Sequence, residues 1–115
     1  MSPTQFRKLA LALPETVEAA HMGHADFRVG GKIFATLGSA GPGSAMVKLT
    51  PEQQAPLLTE HPHLFTPAAG AWGRRGCTMV RLKSAKPADL RGPLLLAWRN
   101  TAPAKLLKQL DVDVT

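Results

Sequence analysis

The order of apolar runs and turn signals in this chain predicts an α+β domain: an antiparallel sheet of about five to six strands with helices packed on one face. Three observations carry this. Short β-capable runs cluster between Thr16 and Leu49 and are joined by connections too short for parallel crossovers. Two segments, at Ser2 and Thr50, open with the same helix-start signature. The resulting order, α-β-β-β-β-α-β-β-α-α, groups strands with strands, the mark of an antiparallel sheet with segregated helices.

Ser2-Pro3-Thr4-Gln5 starts the first helix, with serine at the cap, proline in the first turn and glutamine placed to close a capping box. Phe6, Leu9, Ala10 and Leu13 then form one apolar stripe, which Pro14 ends. Thr16 to His21 is a short strand. Asp26 to Val29 and Lys32 to Leu37 flank Gly30-Gly31 and make a hairpin, because glycine takes positive φ at both turn positions at little cost. Gly38 to Ser44 is a loop, and Ala45 to Leu49 is the next strand. Thr50-Pro51-Glu52-Gln53 starts a helix that runs to Glu60. Ala68 to Trp72 and Cys77 to Leu82 flank Gly73-Arg74-Arg75-Gly76, which predicts a second hairpin. Pro87 opens the last long helix, whose apolar face is Leu90, Leu94, Leu95, Ala97 and Trp98. Thr101-Ala102-Pro103 breaks it, Ala104 to Leu110 adds a turn or two, and the tail frays.

The chain has 115 residues with 44% apolar and 19% charged content, which fits one globular domain over residues 1–115 and argues against disorder. Its single cysteine rules out an internal disulfide and suits a reducing cytoplasm. No apolar run approaches the ~20 residues of a membrane span, so no membrane partner is expected. Charge is lopsided. Residues 1–60 balance five bases against five acids, whereas residues 61–110 carry nine Lys or Arg against Asp89 alone. The net charge of +6 favours an anionic partner without naming one.

Several motifs offer chemistry. Arg28-Val29-Gly30-Gly31-Lys32 puts a cation on each side of one turn, and Trp72-Gly73-Arg74-Arg75-Gly76 puts two arginines and an aromatic in the other. Arginine forks bind phosphate bidentately, and a tryptophan can stack on a base. The same residues also fit plain solvated turns, with Trp72 in the core or half-buried. His21, His24 and Asp26 have ligand-type side chains at a spacing that suits a metal or small-ligand site. Cys77 is a structural thiol at the start of an apolar strand. There is no phosphate loop, dinucleotide fingerprint, nucleophile elbow or carboxylate pair, so neither enzymatic activity nor a cofactor is expected.

Nearly the whole chain resembles the MmcQ/YjbR-like proteins, small bacterial domains of unknown function. The residues that carry this are Ala12-Leu13-Pro14-Glu15, the run His24 to Ala35, Val47-Lys48-Leu49 with the helix start after it, Gly70 to Gly76, Ala97-Trp98-Arg99 and Ala102-Pro103-Ala104-Lys105. The resemblance implies a double-wing arrangement, similar to the DNA-binding domain of a phage transcription factor. One departure is Cys77-Thr78-Met79, where such proteins are often more aromatic.

The leading expectation is therefore a cytoplasmic domain that binds double-stranded DNA. Arg28, Lys32, Arg74 and Arg75 grip phosphates from two hairpins, with Trp72 beside them, and Lys48, Arg81 and Lys83 extend the patch where they share that face. Two alternatives stay open: a non-enzymatic interaction module, homodimeric or bound to an acidic protein, and a ligand or metal site at His21, His24 and Asp26.

Overall fold

The computed structural model describes residues 1–114 and their side chains through Gln109. Helix α1 (Pro3–Leu11) starts at a complete capping box: Ser2 Oγ accepts from the Gln5 amide and Gln5 Oε1 accepts from the Ser2 amide. A meander follows, β1 (Val17–His21), β2 (His24–Val29), β3 (Lys32–Leu37) and β4 (Ser44–Lys48). At the β2–β3 turn both glycines take positive φ, 59° and 79°, as the hairpin reading requires. Helix α2 (Pro51–Glu60) repeats the capping box with Thr50 and Gln53. Next come β5 (Phe65–Pro67), α3 (Gly70–Arg74), β6 (Cys77–Arg81), α4 (Pro87–Thr101) and α5 (Ala104–Val114).

The six strands form one antiparallel sheet in the order β1-β2-β3-β4-β6-β5. Two rows of cross-strand neighbours face the helices. Phe27, Ala35, Val47 and Thr78 make one, and Leu37, Ala45, Val80 and Phe65 the other, and all eight are buried. Between the rows Thr36, Met46 and Met79 point the other way and are only partly buried, the period-2 alternation of a sheet covered on one face. The register skips Phe34, since Phe27 opposes Ala35 and Arg28 opposes Ile33. That bulge sends the extra phenylalanine into the core, where it is fully buried. Helix α4 crosses β3 and β4 and supplies Leu90, Leu94, Ala97 and Trp98, while α1 packs on α4. The Trp98 indole N–H donates to the Pro14 carbonyl at 2.9 Å, which satisfies a buried polar atom and ties the end of the first helical segment to α4.

Two elements differ from the sequence expectation. Residues 68–72 are no strand: β6 pairs with Phe65–Pro67 instead, and residues 70–74 wind into α3. Leu64 and Phe65 offer the sheet large apolar side chains to bury, whereas Ala68 to Ala71 do not. Gly73 sits where a Cβ would lie 1.9 Å from the Ala68 carbonyl oxygen, so only glycine permits this tight helix. Helix α5 also continues to Val114 rather than ending at Leu110; Thr115 lies outside the described residues. In α4, Leu95 is 36% exposed and stands off the core face it was assigned to. No helix among the described residues is long and apolar enough to cross a membrane.

Gly76 is the tightest joint. Its φ is +109°, and a Cβ there would meet the Leu49 carbonyl oxygen at 2.1 Å and the Thr50 carbonyl carbon at 2.6 Å. Both obstacles are backbone and cannot swing aside. Gly76→Ala is expected to lose at least about 2 kcal/mol of unfolding free energy in a urea titration, more than an exposed Gly→Ala change in a helix or turn.

Candidate functional site

The close approach of Gly76 to the Leu49–Thr50 backbone lays α3 beside the ends of β4 and β6. Between them opens a cleft of about 460 Å³. Lys32 enters from the start of β3, Lys48 from the end of β4, Trp72 and Arg75 from α3 and its cap, and Asn100 from the end of α4. Cys77 lines the wall. Three cations thus converge from three parts of the chain, and among the described residues no carboxylate lines the cleft.

The frame around these side chains is hydrogen-bonded throughout its rim. Asn100 Nδ2 donates to the Lys48 carbonyl at 3.1 Å and to Gln53 Oε1 at 2.7 Å. That same Gln53 oxygen accepts from the Thr50 amide in the α2 capping box. One side-chain network therefore locks β4, α2 and α4 together at the rim. Deeper in, the buried Gln54 donates to the Cys77 carbonyl and to Thr78 Oγ1, and Thr78 donates to the Gly76 carbonyl. Among the described residues no buried side-chain polar atom lacks a partner.

Trp72 is 59% exposed, and the Arg75 guanidinium carbon stands over its ring, 5.9 Å from the centroid. The expectation of a core or half-buried Trp72 is corrected here: a five-residue helix presents the indole at the surface, and Trp98 is the tryptophan of the core. Burial pushes the Cys77 thiol above its ordinary range, while Lys48 and Arg75 pull it back less strongly. Cys77 is thus a protonated structural thiol, as its sequence context suggests.

Of the four cations expected to grip phosphates and the tryptophan beside them, the cleft gathers Lys32, Arg75 and Trp72. Arg74 is exposed on α3 and does not line it. Arg28 is spent elsewhere. Its Nε and Nη2 donate to the two carboxylate oxygens of Asp26, at 2.8 and 3.0 Å, and Asp26 is 1% exposed. That bond raises the guanidinium's pKa further. The pairing also counts against the metal reading, since Asp26 is buried and its charge is already balanced by Arg28. Among the described residues no cluster of ligand-type side chains is set to hold a metal ion. Lys48 joins the cleft, but Arg81 sits at the other end of β6, opposite Ser44. The two-hairpin grip does not form. Residues 70–76 are helical, and the Gly30 tip lies against Pro103, whose Cγ would be 2.7 Å from a Cβ at that position. Asn100 had no sequence signal, because its role comes from contacts about fifty residues away.

The YjbR family model matches residues 11–100. No curated protein matches the chain in sequence. Among solved structures, the crystal structure of Deinococcus radiodurans protein DR2400, a DUF419 domain, superposes with a TM-score of 0.72 at 22% identity, covering 96% of this chain and 88% of that one. It is similar in fold.

Two outcomes are expected from this geometry. Arg28→Ala strips a buried carboxylate of its partner and lowers the melting temperature, whereas Lys32→Ala, at an exposed site, leaves it unchanged; thermal scans of both variants check this. Alkylation of Cys77 by iodoacetamide at pH 8 is slower than that of free cysteine. Lys48→Ala slows it further, because removing a cation disfavours the thiolate.

Proposed function

The chain belongs to the YjbR family, one of unknown function, so its role rests on the cleft, and we propose that this cleft binds nucleic acid through the phosphate backbone. The observation that carries the reading is the convergence of Lys32, Lys48 and Arg75 in one concave site lined by no carboxylate. Like charges held together repel one another unless an anion neutralises them, and a concave low-dielectric wall focuses their field. Phosphate suits this set: arginine supplies a fork, and the lysines supply point charges. Thr101, also on the lining, adds a hydroxyl for a sugar or phosphate oxygen, while Asn100 is committed to the frame.

Contacts of this kind give affinity with little sequence preference, because a phosphate carries no base information. The proposed activity is thus binding, with no reaction assigned. The reading places the grip in the cleft and not on two projecting hairpins, so Arg28 and Arg74 contribute little.

A labelled random-sequence oligonucleotide titrated across salt tests the reading. Wild-type protein is expected to bind with a log–log salt slope of about three units, one per cation. Lys32→Ala, Lys48→Ala and Arg75→Ala each remove about one unit of slope, and the triple variant loses on the order of a hundredfold in affinity at physiological salt. Arg28→Ala and Arg74→Ala keep the slope. Binding that survives the triple variant with its slope unchanged overturns the assignment of the cleft.

A further inference from the structure

We infer that Trp72 is a stacking platform for an unpaired base, so that the ligand of the cleft is single-stranded nucleic acid rather than an intact duplex. This inference rests on the nucleic-acid reading and goes beyond it by naming the strand state. Three observations carry it. Trp72 is 59% exposed and is the bulkiest of the exposed large apolar side chains, a costly placement for an indole. It lines the same cleft as Lys32, Lys48 and Arg75. Arg75 stands over the ring and adds a cation beside it.

A flat aromatic next to phosphate-binding cations matches the recognition of single strands, where successive bases stack on side chains while a basic groove follows the backbone. A base inside a duplex is already stacked on both faces and cannot use the indole without being flipped out, which costs a few kcal/mol. The cleft volume of about 460 Å³ is of the size that encloses a small organic ligand, which suits one base with its flanking phosphates. The backbone supports this too. Gly73 and Gly76 let α3 sit directly against the Ala68 and Leu49–Thr50 backbone, and in that position the indole stands at the surface. Stacking on Trp72 accepts any base, because every base has a π-face.

The protein provides its own reporter. Trp98 is fully buried and hydrogen-bonded to the Pro14 carbonyl, so ligand-dependent quenching of tryptophan emission reads Trp72. The experiment compares three ligands of equal length with the full chain: an oligothymidylate single strand, an abasic strand carrying the same phosphates, and a duplex. The expected result is that oligothymidylate quenches the emission and binds about fivefold or more tighter than the abasic strand and the duplex. Trp72→Ala is expected to erase that preference while keeping the salt slope, and Trp72→Phe to keep most of it. Equal binding of all three ligands with unchanged emission overturns the inference and leaves the cationic cleft standing. Absence of binding to any of the three at low salt overturns the inference and the nucleic-acid reading together.

Discussion

Helix α4 holds both halves of the molecule. Its first turns bury Leu90 and Leu94 against the sheet, and Trp98 fixes its roll by donating to the Pro14 carbonyl. One half-turn later Asn100 reaches across to the Lys48 carbonyl and Gln53, and just beyond the helix Pro103 backs the Gly30 turn. The helix axis therefore runs from the packed core to the rim of the cleft. Burial of a few large side chains sets the axis, and the axis sets where Asn100 meets Lys48 and Gln53. A shift of this helix would open the core and withdraw Asn100 from the rim in the same motion.

The excess positive charge is divided and not pooled. Lys48 and Cys77 lie at one end of β4 and β6, and Ser44 and Arg81 at the other. Lys86 precedes α4 and Asn100 nearly ends it, about 20 Å further along the helix. Most of the cations that raise the isoelectric point to about 10.1 thus lie outside the cleft. The lopsided composition was a poor guide to the site, since two of the three cleft cations, Lys32 and Lys48, come from the half of the chain that is neutral overall. Convergence in space, with no acid interposed, is what concentrates the field.

The parts of the fold governed by local rules could be read from the residues. Both capping boxes, the Gly30-Gly31 turn and the order of the first four strands depend on neighbours within a few positions, and each formed as its motif requires. Residues 70–76 misled because glycine and arginine between two apolar runs suit a hairpin tip and a short helix equally. The decision came from outside the segment, in the space left by Ala68, Leu49 and Thr50. The Asp26–Arg28 pair was within reach of the sequence. Residues two apart on a strand share a face, and opposite charges there are candidates to neutralise each other. The cleft itself was not, because Lys32, Lys48, Trp72, Arg75 and Asn100 are assembled by the crossing of β3, β4, α3 and α4, which no spacing rule encodes.

If one end of the sheet, and not the basic surface at large, receives the anionic strand, amide chemical shifts of labelled protein will report it while an oligothymidylate is added. The perturbed amides are expected to cluster at Lys32 and Ile33, Lys48 to Thr50, Trp72 to Cys77, and Asn100 and Thr101, the residues around the cleft. A response centred on Ser44, His63 and Arg81 at the opposite end, or spread evenly over the basic residues, would contradict it.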